Sequence, residues 1–273
     1  LLEQTVGVVQ ATLLALIQGV TEFLPISSSA HLALLPLVTA WPDQGLAFDC
    51  VLHLGSLTAV MIYFRQDLWR MTQGFIHTLT TRSLDSDADG RLAWYILLGT
   101  IPVGLTGLAF KDLVEHDLRT MAVIGTTSIL FGVLLGWADW RGLRRRSEAD
   151  WSLKDAVIVG LAQAVALIPG TSRSGITMTA ALMLGFTREA AARFSFLLSI
   201  PVIILAGGLK VKDWITAPEQ AASTPILLFA YLLSALSAWL CIHYFLKYLE
   251  RVGMGPFVIY RLLLGAILLW MVW

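Results

Sequence analysis

Six stretches of this 273-residue chain run apolar for about the length of a bilayer crossing, and two more are each cut in the middle by a short polar, helix-breaking motif. A crossing helix needs roughly 20 apolar residues. The unbroken blocks are Ala47–Phe64, Leu92–Phe110, Met121–Trp137, Phe194–Leu209, Pro225–Phe245 and Pro256–Trp273. Their apolar residues come in continuous runs rather than a helical stripe, so they read as membrane spans and not as faces of soluble helices. Charged residues make up only 14% of the chain, against roughly 25% in a soluble domain. The expected fold is all-α: a polytopic integral membrane protein forming a single membrane domain over residues 1–273.

The interrupted regions are Val6–Trp41, broken at Glu22–His31, and Ala156–Leu184, broken at Pro169–Gly175. Each reads as two short helices around a polar tip, too short to cross separately. Irregular backbone at membrane depth is tolerated only where protein or water surrounds it. Both regions are therefore expected to be re-entrant helical hairpins, beside six full transmembrane helices.

Loop charge orients the chain. Arg65–Arg91 carries four Arg, Arg141–Lys154 four Arg and one Lys, and Lys247–Arg251 two basic residues, which marks these loops as cytoplasmic. Lys111–Thr120 and Lys210–Ser223 hold two basic residues each and fall outside. The count closes when the first hairpin enters from outside and the second from the cytoplasm, with both termini outside. Gln18, Pro25 and Ser28 precede Gln163, Pro169 and Ser172 by 144 or 145 residues. That spacing suggests repeat halves of roughly 1–140 and 151–273. An odd number of spans per half inverts the second against the first.

Other features exclude more than they assign. A net charge of zero points away from nucleic acid and leaves the bilayer as the bulk partner. Cys50 and Cys241 lack metal-ligand spacing and read as buried small residues. Trp41, Trp69, Trp94, Trp140, Trp151 and Trp214 fall near block ends, where interfacial belts form. The start, LLEQTVGVVQ, shows no basic region or small-residue cleavage site, so no cleavable signal is expected.

The chemistry is expected at the two breaks. Gln18 and Glu22 are four residues apart and share a helix face. Pro25 ends that helix, Ser27, Ser28 and Ser29 follow, and His31 opens the return helix. A carboxylate at membrane depth is costly and is a functional candidate by default. The plainer readings are a Glu capping backbone groups at a bend and serines doing turn and N-cap work. At the second break, Gly170 and Gly175 allow close backbone approach. Thr171, Ser172, Ser174 and Thr177 supply hydroxyls at a helix N-terminus, a cradle for anions. Arg173 adds a planar fork suited to phosphate oxygens; its plainer reading is an ion pair with Glu22. His53 lies near the outer end of a span, where it could line the site, and reads first as a satisfied core histidine, while His77, His116 and His243 read as loop or interfacial residues.

Two motifs, Gln18-x-x-x-Glu22 followed by FLPISSSAH to His31, and Pro169-Gly-x-Ser-Arg-Ser-x-x-Thr177, together resemble the undecaprenyl-pyrophosphate phosphatase family of the bacitracin-resistance type. The likeness runs over nearly the whole chain and includes Arg188 and Phe194–Pro201. It implies hydrolysis of undecaprenyl diphosphate to the monophosphate, in the bacterial cytoplasmic membrane, at a site opening to the periplasm. It also implies a divalent metal, Mg²⁺ or Ca²⁺, with Glu22 and Gln18 as protein ligands. Glu22, Ser28, His31 and Arg173 are then the catalytic positions. Ser27, Ser29, Gly170, Thr171, Ser172, Ser174 and Thr177 bind substrate phosphate. Gln18 removes a carboxylate from any two-carboxylate metal site, and Ala30 stands where a Gly often precedes the His. Ser28 is the expected nucleophile and His31 its base; His31 or water as nucleophile stays open, as does oligomeric state, a homodimer included. The rival is a lipid-phosphate flippase or transporter, since broken-helix inverted repeats also serve transport. Transport needs binding groups alone, whereas these residues also include a nucleophile and a base.

Overall fold

A computed structural model describes residues 6–39, 41, 44–110, 113–216 and 222–272. The described chain is helical, and the first interrupted region forms α1 (Val8–Thr21) and α2 (Ser28–Thr39). After it come α3 (Leu46–Tyr63), α4 (Arg65–Thr81), α5 (Ala88–Ala109) and α6 (Met121–Arg141). The second interrupted region forms α7 (Leu153–Val165) and α8 (Arg173–Met183). The chain finishes with α9 (Arg188–Thr216), α10 (Thr224–Val252) and α11 (Gly255–Val272). Among the described residues, five helices are long and apolar enough to cross a membrane, and six when the bent pair α3–α4 counts as one span.

That bent pair departs from the sequence reading, which treated everything after Phe64 as connecting loop. The helix continues as α4 but turns by 77°. Arg65, Asp67 and Arg70 would be costly on a straight path through hydrocarbon. The turn gives α4 two faces: Met71, Gly74 and Thr78 are buried, while Trp69 and Ile76 are exposed. Arg193 of α9 holds α4 through Asp67 at 3.2 Å and also pairs with Glu148.

The first helix of each hairpin packs against a span from the other half of the chain, α1 on α10 and α7 on α5. Small residues permit this closeness. A Cβ at Gly19 would lie 1.9 Å from Ser237 Oγ, and one at Gly160 would lie 2.4 Å from the Gly99 carbonyl oxygen. α3 sits against both α10 and α9, and α6 against both α11 and α8. Beneath the first break the core is aromatic: Phe23 meets Phe196 edge-on at 5.2 Å, and Phe64 and Phe245 close around Phe196.

Ion pairs fasten the helix ends near the second hairpin. Asp155 in the first turn of α7 accepts from Ser152 as part of a capping box and from Arg146 at 2.5 Å. Arg188 forks onto Asp139 at 2.7 and 2.9 Å.

Candidate active site

The site forms where the two breaks touch. α1 ends at Thr21, and the chain turns through Glu22–Ser27 before α2 begins. Pro25 has no N–H to continue a helix. Ser27 then adopts φ 73°, matched at the second break by Ser172 at φ 70°, each just before a helix start. Ser27 and Ser29 hydroxyls lie 3.3 Å apart, as do those of Ser172 and Ser174. The structural counterpart of Ser172 is therefore Ser27, and Arg173 takes the place of Ser28. The sequence spacing that pairs Ser28 with Ser172 is one residue out of register. The second break holds seven residues and the first only six.

Glu22 is the hub. Its carboxylate is 7% exposed. Oε2 accepts from Gln18 Nε2 at 3.0 Å and from the Ser28 hydroxyl at 2.7 Å. Oε1 faces Arg173 Nη2 at 3.3 Å. Arg173 also donates to the Glu22 carbonyl at 3.3 Å and, through Nη1, to the Ser195 carbonyl at 3.2 Å. Ser174 Oγ closes the junction by donating to the Leu24 carbonyl at 2.8 Å. The short Ser28–Glu22 bond joins a half-exposed hydroxyl to a buried carboxylate, a pairing that can draw off the hydroxyl proton during attack. A partly buried Arg beside it is placed to bear charge developing on a phosphoryl group.

Several expected residues are placed differently. Neither ring nitrogen of His31 bonds Ser28. Ser28 opens α2 and turns toward Glu22, whereas His31, a turn later, faces α11. His31 Nδ1 donates to the Ser27 carbonyl at 2.7 Å, since a carbonyl can only accept, and Nε2 meets the Tyr260 hydroxyl at 2.5 Å. The residue that takes the Ser28 hydrogen bond is Glu22. Thr177 Oγ1 is buried and spent on the Arg173 and Ser174 carbonyls and Ser195 Oγ. Gly170, at φ 87°, packs against Ile124 and Thr127, so its missing side chain makes room for α6. Ser172 Oγ caps α8 by accepting from Gly175 N at 3.1 Å, and Thr171 Oγ1 is buried with no partner among the described residues. Ser29 is exposed, next to buried Ser27 and two residues before half-buried His31.

His53, for which lining the site was the second of two expectations, presents Nε2 to Glu22 at 3.9 Å while Nδ1 donates to the Asp49 carbonyl. Sequence reasoning missed two groups. Tyr260 stacks on His31 with ring centroids 5.6 Å apart. Arg261 is fully buried between the two breaks. Its signal was visible: a charged residue inside the apolar block Pro256–Trp273 is a functional candidate by default.

Among the described residues no group of three or more His, Cys, Asp or Glu converges as a metal cage. Gln18 Oε1, however, is buried beside Glu22 without a partner among the described residues. A hard cation takes such oxygens, and Mg²⁺ commonly uses only one or two protein ligands beside substrate phosphates. The donor set fits a metal that shares its coordination with a diphosphate.

These features define a class: a polytopic α-helical membrane protein with a buried carboxylate–serine–guanidinium cluster where two broken hairpins meet. The family described as "Bacitracin resistance protein BacA" matches residues 11–267. The chain belongs to that family. It is 55% identical over 264 residues to a protein of Thioalkalivibrio sulfidiphilus named undecaprenyl-diphosphatase, covering 97% of this chain and 98% of that one. It is 54% identical to a protein of the same name in Nitrosococcus oceani, over 94% of this chain and 96% of the relative. The figure is again 54% for "Undecaprenyl-diphosphatase 2" of Stutzerimonas stutzeri, over 96% and 97%.

Proposed function

We propose that this protein hydrolyses undecaprenyl diphosphate to undecaprenyl phosphate and inorganic phosphate, renewing the lipid carrier of bacterial cell-wall synthesis. The observation that carries the mechanism is the Ser28 hydroxyl held 2.7 Å from Glu22 Oε2, with Arg173 3.3 Å from the other oxygen of that carboxylate. Ser28 Oγ attacks the terminal phosphorus and its proton passes to Glu22. The bond from that phosphorus to the bridging oxygen breaks, and the lipid monophosphate leaves. Water then attacks the phosphoserine, releasing phosphate, and the proton returns from Glu22 to Ser28. Arg173 neutralises charge on the transferred group, as phosphoryl transfer requires. A divalent metal, Mg²⁺ or Ca²⁺, would be held on the protein side by Glu22 and Gln18 and would add further neutralisation of phosphate charge.

The basic loops Arg65–Arg91 and Arg141–Lys154 support a cytoplasmic-membrane orientation in which the rim formed by Ser29, His31 and Tyr260 opens to the periplasm. In that orientation the hairpins are re-entrant and the halves form an inverted repeat, a reading supported by their crossed packing, α1 on α10 and α7 on α5.

The test is phosphate release from a C55 isoprenyl diphosphate by purified protein, with and without chelator, alongside Ser28→Ala. Release by wild type and its loss in Ser28→Ala are expected, with an acid-stable phosphoserine trapped from labelled substrate. Absence of release by wild type rejects the reaction. Robust turnover by Ser28→Ala, or an acid-labile adduct, rejects Ser28 as nucleophile.

A further inference from the structure

We propose that Arg261 is a positioning residue that ties the two breaks together and sets the spacing of Glu22 and Ser28 against Arg173. The geometry is specific. Arg261 lies on α11, outside both hairpins, and its side chain is fully buried. Nη1 donates to the carbonyl of Pro25 at 3.3 Å, and Nη2 to the carbonyl of Gly170 at 2.9 Å. Pro25 lies midway between Glu22 and Ser28, and Gly170 three residues before Arg173. One guanidinium therefore holds the turn carbonyls of both motifs. Nε and Nη2 also bond the carbonyls of Ser128 and Thr127 in α6, at 3.2 and 3.4 Å. Thr127 Oγ1 in turn donates to the Pro169 carbonyl at 2.6 Å. The planar fork reaches four carbonyls on three elements, which a lysine ammonium on a single tip cannot do.

The charge balance points the same way. Arg261 pairs with no carboxylate among the described residues; each of its partners is a neutral carbonyl. Glu22 at the junction is already matched by Arg173. Glu22, Arg173 and Arg261 together carry one excess positive charge, and a lone buried charge is a burden on folding. An anion seated between the breaks would offset that burden. A simple structural tie would need hydrogen bonds but no charge.

This assignment rests on the diphosphatase reading for its kinetic arm and stands apart from it in its exchange arm. In the first, kcat and KM for C55 isoprenyl diphosphate are measured for Arg261→Lys, Arg261→Gln and the double variant Arg261→Gln/Arg173→Lys. A misplacement of about 1 Å costs on the order of one hundred-fold. Arg261→Gln should lose kcat by tenfold to one hundred-fold, on that scale, with KM within about threefold. The double variant should lose less than the product of the single losses, because both changes strike one arrangement. In the second arm, amide exchange of the folded protein in detergent is followed. Arg261→Gln should speed exchange at residues 22–28 and 168–175 together.

Should Arg261→Gln fail to fold, Gly175→Ala serves. A Cβ there would meet Arg261 Nη1 at 2.7 Å and displace the guanidinium without removing it. Its kcat should fall by on the order of tenfold while the protein remains folded by thermal melt. Wild-type kcat in Arg261→Gln or Gly175→Ala, multiplicative losses in the double variant, or unchanged exchange at both breaks would each overturn the proposal. If wild type releases no phosphate, the diphosphatase reading falls and the exchange arm alone decides the tie.

Discussion

Replacing Arg173 by lysine keeps the charge and removes the fork, which isolates what the guanidinium geometry contributes. In the structure its contacts to Glu22 and Ser195 measure 3.2–3.3 Å. Charge-assisted bonds in a tight ion pair run near 2.7–2.9 Å. The resting pair is therefore loose, and the guanidinium can turn toward a phosphate at modest cost. Loss of one preorganised donor to a developing anion typically costs about 3–4 kcal/mol in the transition state, or 10²–10³ in rate. Arg173→Lys should accordingly lower kcat/KM for C55 isoprenyl diphosphate by on the order of one hundred-fold or more. Folding should suffer less. The shorter ammonium leaves the Ser195 carbonyl without its donor, at about 1–3 kcal/mol, so the melting temperature in detergent should drop while the protein remains folded. Phosphate release read beside a thermal melt separates the two effects. A folded Arg173→Lys protein with kcat/KM within about threefold of wild type would refute the fork and leave Arg173 as a point charge or a structural partner of Glu22.

Three further outcomes follow from the same geometry. Because His31 bonds Ser27 and Tyr260 rather than Ser28, His31→Ala should retain measurable turnover and Tyr260→Phe should mimic it; loss as complete as in Ser28→Ala would restore His31 as the base. Burial alone would raise the Asp155 carboxyl, yet the Arg146 and Ser152 bonds outweigh it and hold the group below the usual carboxylate range. Its contribution is thus present above that range and lost as the pH falls through the lowered value, so Asp155→Asn should destabilise the protein at neutral pH by about 1–3 kcal/mol. Equal melting of variant and wild type at neutral pH would discount the bond. Finally, cysteine at exposed Arg145 should resist an impermeant external reagent and cysteine at exposed Arg119 should react; the reverse pattern would invert the orientation.

Much of this was legible in the chain because the bilayer is a severe filter. Uninterrupted apolar blocks have few other uses, so five spans emerged from block length alone, and the sixth expected block is one arm of the bent pair α3–α4. The breaks stood out for the same reason. Glu22 and Arg173 are costly at membrane depth, and their proximity was foreseeable once both tips were taken to face the interior. Gln18 and Glu22 share a face by helix periodicity, and the structure bonds them at 3.0 Å.

The pairing of polar side chains was a tertiary decision. Ser28 and His31 are three residues apart, and sequence alone favoured joining them. The left-handed residue Ser27 instead starts α2 at an angle that sends Ser28 to Glu22 and His31 to α11. The two spacings in the chain disagreed by one: the 144 residues between Pro25 and Pro169 pair Ser28 with Ser172, whereas the 145 between Gln18 and Gln163 pair Ser27 with it, and the structure follows the second. Thr177 looked like part of an anion cradle because the motif contains it, but its hydroxyl is consumed by the first turn of α8 and by Ser195. His53 and Arg261 lie 31 and 88 residues from the nearer motif residues Glu22 and Arg173, and no local pattern links them to it. Local propensity and hydropathy act within a few turns of helix, so they can mark where a break falls. Which distant carbonyl or carboxylate fills a given donor depends on how the helices cross, and that is set only when α11 and α6 close over both hairpins.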